Sequence, residues 1–255
     1  MTIVHEDIVV GCREAYLIGI GGAGMSGLAR ILKHLGLSVR GSDRKESSVT
    51  RNLRNDGIGV RIGQEEIGLG SADLVIYSSA ISKNHLELVE ARRSGRKVYH
   101  RAEVLASLMN HADTALGVLG THGKTTTSAM LSFVLSRIGA DPTCFVGSDM
   151  INFGTNVVVG GRKYWVSEVD ESDSSHEYYA PHYAVITNLE PEHMEHYQSW
   201  ENLQGSFRRF LAQLHRPGLV AYFGNDPVLC QIVKESGRPS VRFGFTEDCD
   251  FSAQN

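Results

Sequence analysis

The sequence predicts an α/β fold with parallel sheets, divided between two domains. Short β-type runs alternate with helical stretches from residue 15 onward, an order that implies parallel strands with helices on both sheet faces. Two glycine-containing turns, at 19–24 and 120–123, each stand between a strand pattern and a helix pattern. The 255 residues exceed the roughly 150 expected of one domain, which favours two.

Ala15-Tyr16-Leu17-Ile18-Gly19-Ile20 is a buried-strand pattern running into glycines. Met25, Leu28, Ala29, Leu32 and Leu35 then recur at helical spacing until Gly36, a natural stop. Strands at 38–43 and 74–77 and helical stretches at 48–56, 84–94 and 101–110 complete a first domain, 1–111. The second, 112–255, opens with a strand at 114–119. Strands at 164–169, 183–187, 219–223 and 240–244 follow, with helices at 124–138, 200–214 and 227–236. The stretch from Asp248 to Asn255 follows a strand without a closing helix, so this domain is expected to be incomplete.

Composition narrows the function classes. With 42% hydrophobic and 21% charged residues the chain is ordinary globular protein, not disordered or fibrous. A net charge of −4 without a basic cluster argues against nucleic acid or an anionic membrane surface as partner. No apolar run approaches the roughly 20 residues that span a bilayer. The N-terminal segment Met1 to Asp7 is acidic where a secretory signal would be basic. Cys12, Cys144, Cys230 and Cys249 are far apart and lack finger spacing, so they read as reduced thiols of a cytoplasmic protein.

Four motifs carry chemistry. Gly19-Ile20-Gly21-Gly22-Ala23-Gly24 satisfies GxGxxG between a strand and a helix, where glycines let a diphosphate approach the backbone and the helix N-terminus supplies N–H donors. Asp43, ending the next strand, stands where such folds often place a ribose-binding acid. In Gly120-Thr121-His122-Gly123-Lys124-Thr125-Thr126, backbone amides can cradle phosphates while Lys124 reaches the β- and γ-phosphates and a hydroxyl meets Mg²⁺. The strict GxxxxGK[ST] pattern fails, because Val118 stands at its first glycine. Glu168, Asp170, Glu171 and Asp173 crowd the end of one strand, a place to hold Mg²⁺ beside such a loop. Asn188 to His196 follows the next strand; His193 and His196 invite zinc, but the spacing is not HExxH and a third ligand is wanting.

In this order the motifs resemble the Mur ligase family. Its carriers include Gly19 to Gly27, Gly41-Ser42-Asp43, Ser78-Ser79-Ala80-Ile81, His100-Arg101-Ala102-Glu103 and Gly120 to Thr127. Glu168-Val169-Asp170-Glu171-Ser172-Asp173 and Thr187 to Met194 complete the set. The match covers nearly the whole chain, and seven motifs in order are far more specific than one. The resemblance implies a Rossmann-like N-terminal domain that binds the UDP part of UDP-N-acetylmuramate. Gly21, Gly22, Ala23, Gly24, Met25 and Ser26 would hold the diphosphate, with Asp43 and Ser79 near the nucleoside. A P-loop central domain would bind ATP through Gly120, Thr121, His122, Gly123, Lys124, Thr125 and Thr126. Thr125, Glu168 and His193 match the family's Mg²⁺-associated positions, and Lys124, Glu168 and His193 its catalytic ones. His122 and Asn188 match loop positions near the reacting phosphate. The implied reaction joins L-alanine to UDP-N-acetylmuramate through an acyl phosphate, in peptidoglycan precursor synthesis. The form Gly19-Ile20-Gly21-Gly22-Ala23-Gly24-Met25-Ser26-Gly27 favours that member of the family.

The family's third, C-terminal domain, which completes the amino-acid site, has no counterpart in the sequence, so the chain alone is expected to ligate poorly. Two other readings stand beside this one. A non-catalytic UDP-sugar or nucleotide-binding module would share every loop. An NAD-dependent dehydrogenase would use the first glycine loop but leaves Gly120 to Thr127 unexplained.

Overall fold

The computed structural model describes residues 7–63 and 66–253. The acidic segment 1–6 and the final Gln254-Asn255 lie outside the described residues. Chain contacts divide the described residues into two units, one of 7–108 with 147–159, the other of 109–146 with 160–253.

The first unit is built from Glu14–Ile18 (β1), Ala23–His34 (α1), Ser38–Asp43 (β2), Ser48–Asn55 (α2), Gly59–Ile62 (β3), Leu74–Tyr77 (β4), Leu86–Arg93 (α3), Lys97–His100 (β5) and Arg101–Asn110 (α4), whose last residues belong to the second unit. Its five strands lie in the order β3-β2-β1-β4-β5, all parallel. β1, buried from Ala15 to Ile18, is central, so the turn that follows it opens at the carboxyl edge where strand order reverses. Open α/β sheets bind ligands at that edge. Helix α1 buries Met25, Leu28, Ala29, Ile31 and Leu32 on one face and carries Lys33 and His34 in its last turn, against the negative end of its dipole. A reciprocal capping box starts α2, with Ser47 Oγ accepting from Thr50 N and Thr50 Oγ1 accepting from Ser47 N.

On the other side of this sheet Tyr16, Ile18, Leu69, Val75, Leu88 and Ala91 form a core around one buried acid, Glu87. Its carboxylate accepts from Tyr16 Oη at 2.6 Å, Arg61 Nη2 at 2.6 Å, Gly68 N at 3.3 Å and the Ser42 hydroxyl. Four donors around one buried carboxylate replace the water it gave up on folding.

The second unit continues with Thr114–Leu119 (β6), Lys124–Arg137 (α5), Thr143–Met150 (β7), Thr155–Val158 (β8), Tyr164–Glu168 (β9), Tyr183–Ile186 (β10), Met194–Tyr197 (α6), Trp200–Gln213 (α7), Leu219–Phe223 (β11), Pro227–Ser236 (α8), Ser240–Gly244 (β12) and Phe251–Ser252 (β13). Strand order is β13-β12-β11-β10-β6-β9-β7-β8, and the pairings from β13 through β7 are parallel. The end of β7 and all of β8 fall within 147–159 and so belong to the first unit. Helix α8 shows local coding well: Asp226 accepts from the amides of Val228 and Leu229, Pro227 opens the first turn, and Gly237 ends it at φ 62°.

The predicted α/β class and alternation hold. Strands 38–43, 114–119, 219–223 and 240–244 and helices 101–110 and 227–236 fall on their predicted bounds. Strands β3, β5, β7, β8 and β13 have no counterpart in the sequence reading. No helix among the described residues is long and apolar enough to cross a membrane.

Candidate functional site

Two strand–loop–helix junctions carry the candidate chemistry, one in each unit. In the first, the loop after β1 consumes its own amides. Gly19 N and Ile20 N donate to Ser42 O, Gly21 N to Asp43 Oδ2 at 2.8 Å, and Gly22 N to Gly19 O. Ser26 N already bonds Gly22 O, so the amides left without an intrahelical acceptor by helix geometry are those of Ala23, Gly24 and Met25. These three, at the positive end of α1, are the donors that an anion placed there would meet.

The side chains predicted for this site divide accordingly. Met25 is buried and contributes only its backbone. Ser26 is buried too, its hydroxyl bonded to Ala23 O. Asp43 holds the loop, since its second oxygen accepts from Lys45 N. The close approach of Asp43 explains Gly21, because a Cβ there would strike its carboxylate and Thr50. Ser79 Oγ lies 3.0 Å from His100 Nε2 at the end of β5.

Arg101, the first residue of α4, was not singled out by sequence. Its guanidinium lies over Gly24 so closely that a Cβ there would overlap it. Its Nε is buried and makes no hydrogen bond among the described residues. A cation thus lies directly beside the free amides of α1. The signal was present in His100-Arg101-Ala102-Glu103, but its approach to Gly24 depends on β5 lying beside β4 in the sheet.

The second junction follows β6. Gly120 has φ +141° and Gly123, which caps α5, φ +78°, both conformations that an L side chain resists. Thr127 N bonds Gly123 O, which leaves the amides of Lys124, Thr125 and Thr126 open at the start of α5. Asn188, after β10, fastens the loop from beside. Its Oδ1 accepts from Thr121 Oγ1 at 2.7 Å and His122 N at 2.8 Å, and its Nδ2 donates to His122 O at 3.1 Å. Thr187 Oγ1 donates to the same His122 carbonyl, and Thr121 Oγ1 accepts from Glu190 N. The imidazole of His122 is exposed, with Nε2 3.2 Å from Glu192 Oε1 and 3.6 Å from Glu190 Oε2.

Lys124 does not extend into solvent. Its Nζ donates to Gly120 O at 2.7 Å, Thr121 O at 3.3 Å and Glu171 Oε1 at 3.0 Å, with Oε2 at 2.9 Å. Glu171 is completely buried; burial raises its pKa and the neighbouring Lys124 opposes the rise. His193, at φ 55° before α6, places Nε2 3.6 Å from Glu171 Oε1. Glu168 ends β9 in register with Val118, one strand from the loop. The sequence grouped four acids; the structure selects Glu171 as the lysine's partner and puts Glu168 at the strand end. Among the described residues no three His, Cys, Asp or Glu side chains converge as a metal-binding group, and His196 Nε2 pairs instead with Ser174 Oγ at 2.8 Å.

Comparison with known proteins converges on one family. The profile described as Mur ligase family, catalytic domain, matches residues 14–113, and that of the Mur ligase middle domain matches 118–255. A UDP-N-acetylmuramate–L-alanine ligase from Carboxydothermus hydrogenoformans is 41% identical over 92% of this chain and 51% of its own length. The crystal structure of a UDP-N-acetylmuramate-alanine ligase from Thermotoga maritima superposes with a TM-score of 0.80 at 28% identity, over 93% of this chain and 53% of that one. A UDP-N-acetylmuramate:L-alanyl-gamma-D-glutamyl-meso-diaminopimelate ligase from Neisseria meningitides gives a TM-score of 0.84 at 28% identity, over 93% and 79%. The chain spans about half the length of the curated relatives it matches.

Proposed function

Because the chain belongs to the Mur ligase family, we propose that it carries the nucleotide-sugar and ATP-phosphate sites of an ATP-dependent ligase joining L-alanine to UDP-N-acetylmuramate in peptidoglycan synthesis. The observation that carries this reading is the pairing of two open helix N-termini, each with a cation at hand. Ala23, Gly24 and Met25 with Arg101 suit the diphosphate of a UDP-sugar. Lys124, Thr125 and Thr126 suit a triphosphate. On this reading 1–111 is the UDP-sugar domain and 112–255 the ATP domain. The amino-acid site then lies in the part of the relatives that this chain does not span.

The chemistry is the one that membership of the family implies. The lactoyl carboxylate of the muramyl substrate attacks the γ-phosphoryl group, ADP departs, and the amine of L-alanine then displaces phosphate from the acyl phosphate. Little covalent work falls to the protein; it positions the phosphates and offsets charge. Lys124 would neutralise the triphosphate, and the three amides of α5 would orient it. The hydroxyl of Thr125 and the carboxylate of Glu168, at the end of β9, are oxygen donors of the kind Mg²⁺ takes, while His193 stands 3.6 Å from Glu171. When bound, Mg²⁺ would add charge neutralisation at the phosphates. Asn188 keeps the loop in shape through its bonds to Thr121 and His122.

Calorimetric titration with UDP-N-acetylmuramate, with NAD as comparison ligand, tests the first site. The UDP-sugar is expected to bind and NAD not to; the reverse, or binding of neither, overturns the reading. ATP binding that survives Lys124→Ala unchanged would remove the second site.

A further inference from the structure

An ammonium group has three protons to donate, and on Lys124 all three are engaged, by Gly120 O, Thr121 O and the Glu171 carboxylate. Two of these acceptors are neutral carbonyls of the loop. The third is a charge, and it lies where an anionic ligand of Lys124 would have to compete. We infer that Glu171 is a positioning residue that holds Lys124 within the phosphate loop as a phosphate stand-in, so that an arriving phosphate must displace it.

Glu171 is fastened at both ends. Its carbonyl accepts from the Tyr197 hydroxyl and from Ser174 N at 3.2 Å, and its side chain is fully enclosed. A buried carboxylate stripped of its partner is costly, so Lys124 does not leave it freely. His193 Nε2, 3.6 Å from Oε1, is the other polar group facing that carboxylate. The affinity of the loop for phosphate is therefore a difference between two anions competing for one lysine. The pair also keeps the ammonium inside the loop, not sampling solvent, before any ligand arrives. This rests on reading the Gly120–Thr126 loop as a triphosphate site.

The test uses inorganic tripolyphosphate in magnesium-free buffer, so that only the protein's own groups act. Glu171→Gln is expected to bind it about tenfold more tightly than the parent chain, because the competing charge is gone. Glu171→Asp, which withdraws the charge by one methylene, is expected to give a smaller gain and serves if the amide does not fold. Lys124 should also acetylate faster in either variant, as followed by mass spectrometry. A merely structural role predicts weaker binding with a lowered melting temperature and no gain in either readout. Equal or weaker binding by a folded variant overturns the inference, while failure of the parent chain to bind tripolyphosphate overturns the site reading itself.

Discussion

Asn188 clamps His122 from both sides of its peptide, accepting from the N–H at 2.8 Å and donating to the carbonyl at 3.1 Å. The two residues are 66 apart in sequence, so the loop after β6 takes its shape from a neighbouring strand end as well as from its own glycines. Replacing Asn188 with Ala removes these bonds and the one to Thr121. A loss of about 2 kcal/mol in phosphate binding is expected, read by calorimetry with ATP, and a smaller loss for Asn188→Asp, which keeps the acceptor.

Gly120 answers to a tighter constraint. At φ +141° an alanine is strained, and its Cβ would run into Thr187 Oγ1 and the backbone of Asn188. Gly120→Ala should cost about 3 kcal/mol of stability and abolish nucleotide binding. Gly139, at φ +76° with open space around it, is the control: strain without a clash should cost about 1 kcal/mol. Urea denaturation of both variants separates the two.

Arg101 predicts a salt-dependent effect. Arg101→Ala should weaken UDP-N-acetylmuramate binding about tenfold at low ionic strength, with the deficit shrinking in 0.5 M salt, because the lost group is a cation. Arg101→Lys should restore only part, since a compact ammonium lacks the guanidinium's forked set of donors. An unaffected affinity in Arg101→Ala would show that the guanidinium only packs.

His176 sets an acid limit on stability. It is fully buried against Phe207 and Phe210, and burial pushes its pKa down from 6.5 to about 4, with Glu177 and the Ser206 backbone opposing only in part. Above pH 6.5 the ring is neutral folded or unfolded and contributes no pH dependence. Between pH 6.5 and about 4 the unfolded chain takes up a proton that the folded chain refuses, so stability falls with pH by about 3 kcal/mol in all. His176→Phe should flatten this slope, as measured by urea unfolding at pH 7.5 and 5.0.

Much of this was legible locally. The β6 loop declares itself because glycine, lysine and threonine follow a compact apolar strand and open a helix. Strands β3 and β5 were invisible for the opposite reason: Gly59-Val60-Arg61-Ile62 and Lys97-Val98-Tyr99-His100 are edge strands, half exposed, with too few apolar residues to show a period. In β7 the Gly147-Ser148-Asp149 stretch is exposed and reads as a turn. The site residues were missed where partnership is tertiary. Which acid of Glu168, Asp170, Glu171 and Asp173 meets Lys124 depends on how the chain turns after β9, and no local pattern records it.

The unit containing β1 to β5 also owns residues 147–159, and Asn156 Nδ2 donates to Ala23 O at the start of α1. A gene cut at codon 111 would therefore not release the whole of that unit, because a piece of it is written some 40 codons downstream. Neither unit can be transplanted as a contiguous cassette. A contiguous swap at codon 111 would carry over the first unit without its 147–159 piece.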